Sequence, residues 1–201
     1  MIKLFQFKFI LLILSIILIF NPKIVHSKEP IDFIKEVTSE ASSILVKNLD
    51  KETKILKLRE LAEENVDIKG IGYYTLGKHR KTIDKSQLDE YEILFKEYFL
   101  KTFSSRLSEY SDPKINVLSQ EVLSKKYTMV SSVLIATEDR PEVKINWRVY
   151  TKDPSQPLIR DLIIEGLSLV RTQKEEFNSV IQSGDGNIEI LFNNLKEFIK
   201  Q

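Results

Sequence analysis

Residues 72–79, GYYTLGKH, come within one residue of the phosphate-binding pattern G-x-x-x-x-G-K-[ST]. In that pattern a final hydroxyl group binds Mg²⁺, and here His79 takes its place. A strand should precede such a loop, whereas the apolar spacing before Gly72 is helical and two tyrosines crowd the loop itself. The segment therefore does not predict a nucleotide site. Gly77 is better explained as the left-handed residue that ends a helix.

Other residues that could perform chemistry are few. The chain has no cysteine, and His79 is the only histidine after residue 27, so a zinc site lacks ligands. A Ser-His-Asp triad could use only this histidine, and the G-x-S-x-G motif of a nucleophile elbow is absent. Tyr98, Tyr127 and Asp161 are the residue types of a ketosteroid-isomerase-like site, but nothing in their spacing joins them. We therefore expect no enzyme, no cofactor and no metal.

The first 27 residues have the order of a secretory signal. Lys3 and Lys8 precede the apolar run FILLILSIILIF at residues 9–20, which is followed by Asn21-Pro22 and then by the small residue Ser27. The run is shorter than the ~20 residues that cross a bilayer. We therefore expect residues 1–27 to be a cleaved signal peptide that exports the protein, with an uncleaved anchor as the alternative.

Residues 28–201 are expected to form one domain. The whole chain is 42% hydrophobic and 29% charged, as is usual for a compact globular protein. Without residues 1–27 the acidic residues slightly outnumber the basic ones, which gives no support for nucleic-acid binding. The absence of disulfides fits a domain large enough to be stabilised by its own core.

Apolar periodicity predicts an α+β fold: helices first, then a four-stranded antiparallel sheet, then two short helices. Asp84 and Gln87 form a capping box that opens the longest helix, which carries a dense aromatic stripe. This stripe is either ordinary core or one wall of a cavity for an apolar ligand. The predicted helices cover residues 31–47, 55–66, 67–77, 84–110, 175–182 and 187–200, and the predicted strands cover residues 114–120, 126–137, 142–152 and 158–169.

Four stretches carry a family resemblance: TLGKHR, FKEYFLKTFSSRLSEYSD, VKINWRVY, and EGLSLV with the residues that follow it. Together they resemble the MlaC (toluene-tolerance auxiliary) family of periplasmic lipid carriers, over about residues 31–200. The resemblance implies an NTF2-like cone, in which a curved sheet and helices enclose a hydrophobic pocket. It also implies that the protein works in the periplasm as a monomer.

The resemblance further implies a transport route. Phospholipid would be carried between an inner-membrane MlaFEDB-type ABC transporter, through its MCE protein MlaD, and an outer-membrane MlaA–porin complex. This traffic maintains the lipid asymmetry of the outer membrane. The alternative is a ligand-free periplasmic adaptor of the same fold, whose aromatic residues only pack against each other.

For a carrier, the lipid tails should be surrounded by apolar side chains and the headgroup should remain near polar ones. The residues predicted to contact the tails are Ile71, Tyr74, Phe95, Phe99, Phe103, Met129, Val133, Ile145, Trp147, Leu162 and Ile164. Lys78, Arg80 and Lys81 form a basic turn that is expected either to contact a headgroup or docking partner, or only to be solvated.

Overall fold

The computed structural model describes residues 28–138 and 140–201. The predicted signal at residues 1–27 lies outside this part of the chain, so its cleavage stays a prediction. The α-helices of the described part are α1 Pro30–Val46, α2 Lys51–Asn65, α3 Ile68–Thr75, α4 Lys85–Leu107, α5 Leu169–Ser183 and α6 Ile188–Lys200. Its strands are β1 Ile115–Ser124, β2 Tyr127–Leu134, β3 Val143–Tyr150, β4 Leu158–Ile164 and β5 Leu167–Ser168.

The strands form one open antiparallel sheet in the order β1-β2-β3-β4-β5. The α+β order of elements is confirmed, but the predicted number of four strands is wrong. Glu165 and Gly166 have φ values of 49° and 84°, so they form a tight turn inside the predicted strand at residues 158–169. The short strand β5 then folds back on β4. The cone-shaped enclosure stays a prediction.

Two element boundaries differ from the predicted ones for local reasons. Helix α5 begins at Leu169, six residues earlier than predicted, because the Ser168 hydroxyl caps it by accepting a hydrogen bond from Arg171 N at 3.1 Å. Strand β1 extends to Ser124 and carries two bulges, which disturb the apolar alternation that marks a strand in the sequence.

The helices cover one face of the sheet, which we call the inner face. Val130 of β2 and Val149 of β3 lie on this face, and both are completely buried. Helix α1 packs over β1 and β2, whereas α3 and α5 pack against β4. The longest helix, α4, packs mainly against α2, α3 and α6. Large side chains from α4 therefore fill the space between the helices and the inner face.

Asp67 connects the start of α3 to the sheet. Its carboxylate accepts a hydrogen bond from Gly70 N at 2.8 Å, which caps the helix. The same carboxylate pairs with the Arg160 guanidinium, and that side chain also donates to the Tyr127 hydroxyl at 2.7 Å and stacks on the Tyr150 ring. These contacts fix α3, and the residues it contributes to the interior, against β4.

Candidate functional site

Four aromatic residues of α4 form a continuous row along one face of the helix. Tyr91, Phe95, Phe99 and Phe103 are spaced four apart, so their side chains lie one turn above another. Successive ring centroids are 5.6, 6.2 and 5.8 Å apart. Tyr91 and Phe95 are fully buried, whereas Phe99 and Phe103 are only partly buried. The row therefore runs from the interior towards the surface.

The inner face of the sheet lies opposite this row. Ile145 and Trp147 of β3 pair with Ile164 and Leu162 of β4, which places all four side chains on the inner face. The Trp147 indole N–H donates to the Ser132 hydroxyl at 2.8 Å, and that hydroxyl donates to the Ile145 carbonyl at 3.1 Å. The only tryptophan of the chain is thus held in one orientation inside the apolar interior.

Helices α3 and α5 complete the interior. Ile71 of α3 is buried in the same apolar cluster as Phe95 and Trp147. Phe177 of α5 meets Phe95 edge to face, with ring centroids 6.2 Å apart. Seven of the predicted tail contacts share this cluster: Ile71, Phe95, Phe99, Phe103, Ile145, Trp147 and Leu162. Ile164 is partly buried beside them on the inner face.

The interior is closed at one end of the sheet and approaches the surface at the other. At the closed end Val149 is fully buried and Ile159 nearly so. At the other end Ile164 is only partly buried, and the neighbouring Leu167 and Leu169 are 59% and 42% exposed. The chain runs from the end of α4 through a short loop into β1 at this same end, so the outer part of the aromatic row lies near this less buried end, which we call the opening.

Three predicted tail contacts lie outside this interior. Met129 and Val133 pair with Arg148 and Lys144, so they are on the outer face of the sheet, away from Trp147. Tyr74 is 48% exposed on α3, with the Lys174 ammonium 5.1 Å from its ring centroid. These three residues therefore do not lie between the helices and the inner face, where the other eight predicted tail contacts are found.

The basic turn lies at the end of α4 that is far from the opening. Gly77 has φ 55°, which confirms that it ends the preceding helix in the left-handed conformation. Lys78, Arg80 and Lys81 are exposed on the 3₁₀ helix Gly77–Lys81, and Arg80 stacks on the Tyr73 ring at 4.1 Å. Helix α4 is about 35 Å long at 1.5 Å per residue, so this turn and Phe103 are well separated.

The residue types considered for catalysis are engaged separately. The Tyr98 hydroxyl donates to Gln173 at 2.9 Å, and Tyr127 accepts from Arg160. Asp161 is buried and accepts hydrogen bonds from the Ser168 hydroxyl at 2.7 Å and from a backbone N–H of α5 at 3.2 Å. In the part of the chain that the structure describes, no group of three or more His, Cys, Asp or Glu side chains could hold a metal ion.

Burial changes the titration of two tyrosines of α4, Tyr91 in the row and Tyr98 beside it. Loss of hydration raises the pKa of Tyr91 well above its usual value, although a 2.7 Å hydrogen bond to the Thr75 hydroxyl partly opposes this effect. Burial also raises the pKa of Tyr98, with a smaller contribution from the negative charge of Glu176. Both rings therefore stay neutral inside the apolar interior at physiological pH.

Sequence reasoning did not single out Ser132, Gly72 or Phe177 as parts of this site. Ser132 is a polar residue in an apolar strand, and only the cross-strand register shows that it faces Trp147. Gly72 allows close approach of Phe95, since a Cβ atom there would lie 2.7 Å from Phe95 Cδ1. The helical spacing of Phe177 predicts that it is buried, but only the fold shows that it contacts Phe95 and Tyr98 of α4.

Comparison with known proteins identifies a family for this chain and solved structures with the same fold. A search among curated proteins found no significant match. One solved structure, a phospholipid-binding protein from Ralstonia solanacearum in complex with a phospholipid, superposes with a TM-score of 0.72 at 19% identity. The match covers 87% of this chain and 98% of that one, so the two share a fold.

No helix among residues 28–138 and 140–201 has the length and apolar character to span a membrane. The family model described as MlaC protein matches residues 35–197, which is most of the chain. The same residues contain the aromatic row, the inner face of the sheet and the basic turn. The protein belongs to the MlaC family.

Proposed function

We propose that this protein is a periplasmic phospholipid carrier that holds the acyl chains of its cargo between α4 and the inner face of the sheet. The observation that carries the proposal is the row from Phe95 to Phe103, which shares one apolar cluster with Trp147 and runs from a fully buried ring to partly buried ones. The proposed tail contacts are Ile71, Phe95, Phe99, Phe103, Ile145, Trp147, Leu162 and Ile164.

The energetics of the cargo explain why an interior of this kind is needed. Each methylene group removed from water contributes about 0.8 kcal/mol, so two acyl chains amount to roughly 20 kcal/mol or more before any cost is subtracted. The tails must be fully enclosed to gain this energy, whereas the charged headgroup must stay hydrated. Partly buried Phe99, Phe103 and Ile164 lie at the opening, where the tails would pass from headgroup to interior.

Loading requires the interior to expand. Phe95, Val130 and Leu100 are already fully buried and packed, so acyl chains enter only if the helices move away from the sheet. Moving the helices away from the sheet costs packing energy, and burial of the bound tails offsets this cost. Release is then controlled by a partner that binds the open or empty form more tightly. We expect slow loss of lipid from the isolated protein and faster transfer to a partner complex.

Within this proposal the protein moves phospholipid, as a monomer, between an inner-membrane MlaFEDB-type transporter with its MlaD component and an outer-membrane MlaA complex. Residues 1–27 would direct export to the periplasm and be removed, and the activity would maintain outer-membrane lipid asymmetry. The support is membership of the MlaC family and a shared fold with a solved phospholipid-binding protein. Lys78, Arg80 and Lys81 are proposed to contact a docking partner, since they lie away from the opening.

The test is to analyse the lipid content of the purified protein by mass spectrometry of organic extracts. A carrier retains about one phospholipid per protein molecule through purification, and replacing Phe99 and Phe103 together by serine reduces that amount. The matched control replaces the exposed Leu56 by serine, far from the interior. A well-folded protein without lipid would favour the alternative, a ligand-free adaptor whose aromatic residues only pack.

A further inference from the structure

An apolar cleft borders the buried end of the aromatic row, where Tyr91 and Phe95 lie. It is a cleft of about 300 Å³ between α3 and α4, and its walls include Ile68, Gly72, Tyr91, Ile93 and Phe95. Lys69 of α3 and Glu92 of α4 also line the cleft and form an ion pair of 2.9 Å between the two helices. Ile93 is 68% exposed at the edge of the cleft.

Phe95 separates this cleft from the interior. Its ring lines the cleft and also contacts Phe99 and Phe177 inside the apolar cluster, with centroid distances of 6.2 Å to each. The ring of Phe95 therefore stands between the cleft and the packed interior. The ring rests against Gly72, where an added Cβ atom would lie 2.7 Å from Phe95 Cδ1.

The position of Phe95 along the row indicates where a bound acyl chain would end. A chain that enters at Phe103 passes Phe99 and then reaches Phe95, the first fully buried ring along this path. We propose that Phe95, seated on Gly72, is the floor of the acyl-chain site and limits the length of the chains that the protein holds. The cleft between α3 and α4 is the extension that this floor closes off. This inference rests on the proposed function.

The test uses wild-type protein and variants loaded from vesicles that contain equal amounts of dimyristoyl and dioleoyl phosphatidylethanolamine. Mass spectrometry then gives the ratio of long to short lipid retained. Phe95→Ala joins the interior to the cleft, so this ratio rises several-fold. Gly72→Ala adds a methyl group behind the ring and moves the ring towards the interior, so the ratio falls. Opposite shifts from two neighbouring positions distinguish a floor from a general loss of packing.

Two controls keep the outcome decisive. Phe95→Leu is a smaller truncation that should give a weaker rise if Phe95→Ala does not fold. Phe192→Leu changes another fully buried ring, which contacts Tyr91 but does not line the cleft, and it should leave the ratio unchanged. If wild-type protein takes up neither lipid, the proposed function fails and this inference fails with it. If wild-type protein loads both lipids but the Phe95 and Gly72 variants keep its ratio, only the inference is overturned.

Discussion

At the residue scale, Trp147 shows how a polar atom is accommodated in an apolar interior. An indole N–H buried without a partner would cost free energy, and the Ser132 hydroxyl on the neighbouring strand supplies that partner at 2.8 Å. The same hydroxyl donates onward to a backbone carbonyl, so every polar atom of this chain of hydrogen bonds is paired. A ring fixed in this way keeps one orientation within the apolar cluster that it shares with the α4 row.

We predict that Trp147 and Ser132 are coupled in stability. Trp147→Phe should lower the free energy of unfolding by about 2 kcal/mol, because a ring is truncated and a hydrogen bond is lost. Ser132→Ala should cost about 1–3 kcal/mol, because it leaves the buried indole N–H unpaired. In the double variant neither partner is left alone, so its cost should be smaller than the sum. Urea unfolding followed by circular dichroism measures all three, and strict additivity would contradict the coupling.

A second prediction at this scale concerns alkaline pH. The pKa of Tyr91 is raised in the folded state, so folding favours its protonated form. This contribution is complete below about pH 10, the unfolded value for tyrosine, and is lost as the pH rises above it. While only the unfolded state ionises, one such group lowers the free energy of unfolding by up to ~1.4 kcal/mol per pH unit.

Tyr91→Phe removes this ionisation and should flatten the fall in stability above about pH 10. At neutral pH the variant loses only the hydrogen bond to Thr75. Urea midpoints measured from neutral to alkaline pH compare the two slopes. Equal slopes for wild type and variant would show that Tyr91 is not the group responsible.

At the element scale, short polar contacts determine where the helices begin and how they meet the sheet. Asp84 and Gln87 form a full capping box at the start of α4, which fixes the phase of the aromatic row. Asp67 caps α3 and also binds Arg160 on β4, so it fixes a helix in relation to the sheet. Both aspartates therefore cap a helix, but only Asp67 also connects its helix to the sheet.

We predict that the two caps differ in their contribution to stability. Asp84→Ala should lower the free energy of unfolding by about 1 kcal/mol, the usual cost of losing an N-cap. Asp67→Ala should cost about 2 kcal/mol or more, because it also leaves the partly buried Arg160 guanidinium without its carboxylate. Asp89→Ala, on the exposed side of α4, serves as the control. Similar costs for Asp67→Ala and Asp84→Ala would show that the contact with Arg160 adds nothing.

At the scale of the whole molecule, the apolar opening and the basic turn are separated by most of the length of α4. In the proposed function, a partner binds at the turn while the lipid leaves at the opening. The cations of the turn are exposed, so they are available to an acidic surface without first breaking the core.

We predict that replacing Lys78, Arg80 and Lys81 together by glutamine slows lipid transfer to a partner complex at low ionic strength. Loss of long-range attraction reduces the rate of association, and the difference from wild type should shrink as salt is added. The amount of lipid that copurifies and the melting temperature should not change, because these side chains are outside the interior. A matched control replaces the exposed Lys47, Lys51 and Lys57 by glutamine. Transfer at the wild-type rate would leave the turn with only its role in ending α3.

Much of the helical layer follows from the sequence itself. Apolar spacing defines the stripe of α4, the capping box marks its start, and Gly77 marks the end of the helical segment before it, because these signals depend on neighbours within one or two turns. They are enough to predict an aromatic row from Phe95 to Phe103 without knowledge of what lies opposite.

The tertiary structure alone decides which strand residues face that row. Alternation separates Met129 from Val130, but it does not state which of the two faces is covered by helices. In β4, an irregular register opposite Arg148 and Val149 places Ile159 and Leu162 on one face although they are three residues apart. Strand pairing and bulges are non-local, so local periodicity predicted apolar strands, and only the fold placed Ile145, Trp147, Leu162 and Ile164 on the face that the helices cover.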